Sequence, residues 1–323
     1  MGEQRQEEQP QGEPQGEQPQ GERPLGQRRR LGFLGPRGTF SEEAARLYAR
    51  RLPVGLSVEL VPGRGIPELL LAVAGGDLCA AVVPAENSIE GTVAVTLDTL
   101  VHDVDLPIVG EVVIPIRHHL LVRKGYEGAP ITTVVSHPQA LAQCRRYLQA
   151  RWPGAQVQAA FSTAEAARLV GESAKPGMAA IANALCADLY GLAVLESDIQ
   201  DVPDNATRFF VIGKEEPAPT GRDKTSIVFA FSMDRPGNLY HALGEFAQRN
   251  INLTKLESRP AKQHLGDYIF FADLEGHKDD PVVREALAGL RRRCAYVRIL
   301  GSYPRAEYPR GEAAPGPSSS EGG

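Results

Sequence analysis

The chain has one tryptophan, three methionines and four cysteines among 323 residues. Cys79, Cys144, Cys186 and Cys294 are scattered, with no C-x-x-C pair and no zinc-like spacing, which argues against a disulfide framework or a zinc ribbon. They read as reduced, mostly buried small hydrophobes of a cytoplasmic protein. No apolar run reaches the ~18 residues of a membrane span, and the N-terminus lacks the apolar core of a signal peptide. A net charge of −5 gives no reason to expect nucleic acid or an anionic membrane as a partner. Familiar catalytic signatures are missing too: there is no G-x-S-x-G elbow, no G-x-x-x-x-G-K-[ST] loop and no H-E-x-x-H. His118 and His119 adjoin in a strand-like run, so they face opposite ways and make a poor metal pair.

A hydrophobic content of 42% is enough for packed cores, and the length suggests two domains plus tails. Residues 1–30 are almost entirely Gly, Glu, Gln, Pro and Arg, a composition expected to stay disordered, as is the Pro/Gly/Ser-rich end at 304–323. Between them lie two bodies. Residues 31–213 alternate strand-like runs (31–34, 58–61, 79–83, 108–114) with helical patterns (41–51, 66–74, 138–150, 162–171), which predicts an α/β sheet with helices on both faces. A Pro/Gly/charged linker follows at 214–223. Residues 224–303 read strand 225–231, helix 237–249, strands 252–258 and 268–274, helix 281–292 and strand 296–301. That βαββαβ order is ferredoxin-like.

Four junctions carry the chemistry. The run from Asp204 to Gly213 sets Thr207 and Arg208 at the head of an apolar strand. Alternation puts Thr207 with Phe209 on one face and Arg208 with Phe210 on the other. Taken alone, the run is equally a strand with a β-favouring Thr and a solvated Arg. The loop Gly32–Ser41 has glycines spaced G-x-x-G-x-x-G, so it fails the dinucleotide fingerprint. Its Thr39 and Ser41, the latter read as an N-cap, suit a carboxylate or phosphate. Glu86, Asn87 and Ser88 follow the buried run 79–83, at the strand end where open α/β sheets bind ligands. Ser136-His137-Pro138 starts a helix with Gln143 about one turn inside, and Ser162-Thr163 starts another. His137 reads as a local hydrogen-bonding residue, and the Asn205-Ala206-Thr207 sequon as accidental. The inventory is hydroxyls, amides, one or two carboxylates and an arginine. It suits a small anionic substrate and proton transfer without naming the reaction.

Taken together, GPRGTFSEEAA (35–45), PAENSIEGTV (84–93), SHPQALAQC (136–144) and NATRFFVIG (205–213) resemble the prephenate dehydratase family. The segments 235–260 and 266–277 resemble its C-terminal ACT regulatory domain, with Asn238 standing where the family usually has Ala. The resemblance covers roughly 31–303. It implies two hinged α/β lobes like those of periplasmic binding proteins, and conversion of prephenate to phenylpyruvate with loss of carbon dioxide and water, using no cofactor and no metal. By resemblance Thr207 is the hydroxyl at the leaving group, with Glu86 as proton source if burial raises its pKa. Asn87 and Gln143 would fix the substrate. Thr39, Ser41, Ser88, Ser136, Ser162 and Thr163 would hydrogen-bond its oxygens, and Arg208 would offset carboxylate charge. Phenylalanine would bind at Gly237, Asn238, Leu239, Glu257, Ser258 and Arg259, between the ACT domains of a homodimer or tetramer. Three competing readings are arogenate as substrate, a non-catalytic amino-acid sensor and a nicotinamide enzyme. The intact Thr207 and Asn87 motifs disfavour the sensor, and the missing glycine fingerprint disfavours the nicotinamide enzyme.

Overall fold

A computed structural model describes residues 29–53, 56–261 and 268–307. The expectations for residues 1–28 and 308–323 lie outside the described residues. The chain opens with β1 (Arg29–Leu34), α1 (Phe40–Arg51), β2 (Val58–Gly63), α2 (Ile66–Gly75), β3 (Ala80–Asn87), β4 (Gly91–Thr92), α3 (Ala94–His102) and β5 (Ile108–Pro115). It then crosses into a second lobe of β6 (His119–Arg123), β7 (Thr133–Ser136), α4 (Pro138–Gln143), α5 (Arg145–Arg151), β8 (Gln156–Ala159), α6 (Thr163–Glu172), β9 (Met178–Ala182), α7 (Ala184–Tyr190) and β10 (Leu192–Glu196). It returns through β11 (Ala206–Gly213), which enters the first sheet between β3 and β5, in the order β2-β1-β3-β11-β5. The second lobe has its own sheet, β10-β6-β9-β7-β8. The two lobes are therefore joined by two crossing segments, 116–118 and 197–205.

β3 and β11 are central because their apolar residues can be buried on both faces. Val82, Phe209 and Val211 pack under α1, while Val83, Phe210 and Ile212 pack toward α2 and α3. The single helix expected over 138–150 is two helices broken at Cys144. Asp201 causes the break: its N–H donates to the Gln143 carbonyl at 2.7 Å, and its carboxylate accepts from the N–H groups of Arg146 and Tyr147. A partner 55 residues downstream thus caps the second segment.

The third body is β12 (Asp223–Ala230), α8 (Asn238–Ala247), β13 (Leu253–Pro260), β14 (Tyr268–Glu275), α9 (Pro281–Arg293) and β15 (Tyr296–Pro304), with sheet order β13-β14-β12-β15. Both helices cover one face, where Ile227, Phe229, Ala272 and Leu274 are buried. The other face docks on the first lobe. Val228, Ile269, Phe271, Leu300 and Tyr303 share one apolar core with Leu70, Phe210 and Ile212. At Gly301 β15 approaches the Ile108 backbone so closely that a Cβ would collide with its carbonyl oxygen. The last strand reaches Pro304, and Ala306 beyond it is buried.

Candidate active site

A cavity of about 450 Å³ lies between the lobes, floored by the ends of β3 and β11. Residues Thr207 and Asn87 are directly paired across these antiparallel strands, as are Arg208 and Glu86. A register shift follows between Arg208 and Phe209, after which Phe209 pairs with Pro84. Thr207, Asn87, Phe209 and Pro84 line the cavity. Arg208 and Glu86 face the other side of the sheet, toward the third body.

Asn87 is held from both ends of its amide. Its Oδ1 accepts from the N–H groups of Ile89 and Glu90 at 2.9 and 3.1 Å, and its Nδ2 donates to Asn205 Oδ1 and Thr207 Oγ1, both at 2.8 Å. The Thr207 hydroxyl is thereby an acceptor on the protein side, with its own proton left for the cavity. Asn205 Nδ2 donates to Gln143 Oε1 at 3.2 Å, and the same oxygen lies 3.0 Å from His118 Nε2. A polar chain thus runs from the first lobe through both crossing segments to α4 of the second. Gln143 ends α4 rather than standing inside a longer helix, because Asp201 stops the helix there.

Thr39, Ser41, Ser162 and Thr163 also line the cavity. Thr39, not Ser41, is the N-cap of α1, and its hydroxyl is committed to the Leu34 and Pro36 carbonyls. Ser162 caps α6 by accepting from the Glu165 N–H at 3.0 Å. His137 lines the cavity and accepts from the Gln139 N–H, the local role expected of it.

Other expected site residues are placed elsewhere. Ser136 is buried and donates to the Ile181 carbonyl at 2.6 Å, since it closes β7 inside the second lobe. Ser88 ties the start of β11, accepting from the Ala206 N–H and donating to Asn205 Oδ1. Glu86 pairs with Lys255 of β13 at 2.5 Å, so its carboxylate is turned from the cavity where a proton source is needed. Arg208 is buried against Glu111 (2.6 Å) and Asp273 (2.5 Å), with Lys224 on the same Glu111 carboxylate. Burial opposes the charge of Arg208, but Tyr303, Asp273 and Glu111 outweigh it and hold its pKa well above the ordinary value.

The sequence reading missed Asn205 and His118. Asn205 stands two residues before Thr207 and shares its face, a period-2 signal that the sequon match hid. His118 continues the Ile114, Ile116 alternation into the cavity. Burial lowers its pKa below 6.5, against the opposing hydrogen bond to Gln143. Among the described residues no Lys or Arg lines the cavity; its ionisable groups are Glu90, His118 and His137.

A second cavity, about 770 Å³, opens between the end of α3 and the start of α8. Phe231, Gly237, Asn238, Leu239 and Phe270 line it. The Asn238 amide donates to the Met233 carbonyl at 2.8 Å, closing the loop before α8. Glu257, Ser258 and Arg259 do not line it. Alternate residues of β13 turn Lys255, Glu257 and Arg259 onto the first lobe, where they meet Glu86, Thr92 and Asp98, and they leave Ser258 exposed.

Fold and site define a two-lobed α/β enzyme, with the reacting cleft between the lobes and a ferredoxin-like domain docked on one of them. The family model for prephenate dehydratase matches residues 31–217, and that for the ACT domain matches 225–292. The chain belongs to the prephenate dehydratase family. A prephenate dehydratase of Amycolatopsis methanolica is 45% identical over 281 residues, covering 86% of this chain and 89% of that one. The solved prephenate dehydratase of Arthrobacter aurescens in complex with L-Phe is 39% identical with a TM-score of 0.77, covering 88% and 93%. A solved quorum quenching acylase, GqqA, has the same TM-score at 32% identity, covering 87% and 100%.

Proposed function

We propose that the interlobe cleft converts prephenate to phenylpyruvate, with Thr207 as the donor to the departing hydroxyl. The observation that carries this is the Thr207 hydroxyl, which lines the cavity and accepts from Asn87, so that its own proton is available to a ligand there. The ring carboxylate leaves as carbon dioxide and its electron pair enters the ring. The C4–O bond then breaks, and the departing hydroxide takes one proton from solvent to leave as water. Aromatisation drives the sequence, so no base has to remove a proton. A threonine hydroxyl has a pKa far above neutral, so Thr207 stabilises the leaving oxygen by hydrogen bonding rather than by transferring its proton. Hydroxyls and N–H groups of the α1 and α6 starts, with Gln143, meet the substrate oxygens. Incubation with prephenate and then arogenate, with product identification, tests the reading. Phenylpyruvate from prephenate supports it. Turnover of arogenate alone would assign the aminated substrate, and amide hydrolysis without either would assign the acylase chemistry of the 32%-identical relative.

The ACT domain supplies phenylalanine feedback. We place the effector in the second cavity, its carboxylate on the α8 start and its ring beside Leu239, Phe231 and Phe270. The exposed β13 face with Leu256 and Ser258, and the half-open cavity beside it, support a homodimer or tetramer in which a partner completes the site. Four free cysteines fit a cytoplasmic enzyme. Calorimetry on the full chain should show phenylalanine binding, and absence of binding would overturn the assignment.

A further inference from the structure

At the far end of the cleft's amide chain, the mechanism above uses Gln143 but gives His118 no part. Two buried nitrogens there have no partner among the described residues, His118 Nδ1 and Gln143 Nε2. Hydrogen-bond direction can be traced to them bond by bond. Asn87 Oδ1 is occupied by two backbone N–H groups, so Asn87 meets Asn205 Oδ1 with its NH₂. Ser88 agrees with this: its oxygen accepts from the Ala206 N–H, and its proton meets Asn205 Oδ1, which the Asn87 NH₂ has already fixed as an acceptor. Asn205 must then donate from Nδ2, and the Gln143 atom that receives it is Oε1. The His118 nitrogen 3.0 Å from that oxygen is consequently an N–H donor.

We propose that His118 is a positioning residue: as the neutral Nε2–H tautomer it clamps Gln143 Oε1 together with Asn205, and so presents the Gln143 NH₂ to an oxygen of the bound substrate. The inference rests on the reading of the cleft as a prephenate site. Two carboxylates and a keto group make that substrate chiefly an acceptor, so a Gln143 amide turned the other way would set lone pair against lone pair. The imidazole is well fixed. Its backbone N–H donates to Gln200 Oε1 at 2.9 Å, its carbonyl accepts from the Ile199 N–H, and the Phe40 ring meets it edge-on at 5.6 Å. Its surroundings keep it neutral. From α1 comes the Phe40 ring, from α4 Gln143 with His137 at the helix start, and from the return crossing Asn205 and Gln200. Arg117 and His119 turn to the opposite side, where Arg117 meets Asp198, and among the described residues the one carboxylate lining the cleft is Glu90. Burial and the neighbouring His119 both disfavour the imidazolium.

Imidazole ¹⁵N chemical shifts of the ligand-free full chain test the tautomer directly, without reference to any reaction. A protonated Nε2 and a bare Nδ1, unchanged between about pH 7 and 8, are expected; an Nδ1–H tautomer or an imidazolium there would overturn the proposal. In His118→Gln the side-chain NH₂ reaches the place of Nε2, whereas in His118→Asn it falls short. His118→Gln should stay within about threefold of the parent kcat/KM and His118→Asn should lose about 10- to 100-fold, the scale of a misplaced substrate contact, with the pH profile unaltered. Equal loss or equal retention in the two variants would refute the positioning role. A parent chain inert toward prephenate would overturn the functional reading instead, and the ¹⁵N spectrum would still decide the tautomer.

Discussion

Thr207 and Arg208 are adjacent in the chain and serve opposite sides of one sheet. Replacing Thr207 by Val keeps the shape and removes the hydroxyl. Turnover of prephenate should fall by about 10²–10³, the range for removing one positioned hydrogen-bond donor, while the melting temperature moves little; near-normal turnover would take Thr207 out of the mechanism. Arg208→Met has the reverse profile. It strips the guanidinium from Glu111 and Asp273, buried carboxylates left with Lys224 and Ser226, and breaking such a pair costs about 3–5 kcal/mol. Denaturant midpoints should show that loss, and an unchanged midpoint would mean the network relaxes around the gap. The division of labour is legible in the sequence, because strand alternation alone sends the two side chains to opposite faces. The destination of Arg208 is not, since its partners arrive from β5 and from β14, and no local pattern ties those strands to 208.

β13 is the element whose task differs most from expectation. Its Lys255, Glu257 and Arg259 grip Glu86, Thr92 and Asp98, and Thr92 is itself part of the cleft wall. β13 pairs with β14, whose Tyr268, Ile269 and Phe270 line the cavity proposed for the effector, so two paired strands link that cavity to the cleft wall. Removing a peg should loosen that link without emptying the effector site. Arg259→Met, which breaks a half-buried pair at 3.2 Å, should cost under about 1 kcal/mol of stability. It should retain phenylalanine binding by calorimetry yet weaken inhibition severalfold, within the roughly 5–150-fold that site coupling spans. Inhibition at the parent level would show that β13 carries no signal. Element identities were readable where periodicity is local: both helices and all four strands of the third body stand where their patterns put them, within a few residues. The break at Cys144 escaped because Asp201 causes it from a distant loop, against an unbroken helical pattern.

For the whole molecule, buried titratable groups set the direction of acid sensitivity. His118 and His119 have pKa values pushed below 6.5 chiefly by burial, so the unfolded chain binds protons more readily. Their contribution is present above pH 6.5 and is lost as the pH falls through the folded values. Asp273 is held below 3.8: burial opposes this, but Arg208, Ser226 and Lys224 outweigh it, and its contribution disappears only below that value. Melting temperature against pH should therefore be highest between 6.5 and about 9, above which the buried Cys144 and Cys186 thiols, pushed up to about 12, stay protonated while those of the unfolded chain ionise; it should decline below 6.5 and again under about pH 3.8. A maximum between about pH 4 and 5 would contradict the histidine assignment.

The return of β11 has a consequence for how the protein comes into being. Thr207 and Asn87 are bonded across 120 residues of chain, with the entire second lobe emerging between them. Until residues 206–213 have been made, β3 and β5 flank an empty slot, and the most apolar strand positions of the first lobe have no neighbour. Closing that slot is a long-range pairing of the kind that slows folding, and it is also the act that assembles the cleft. Thr207 and Asn87 come together only when the last strand of the first sheet is seated.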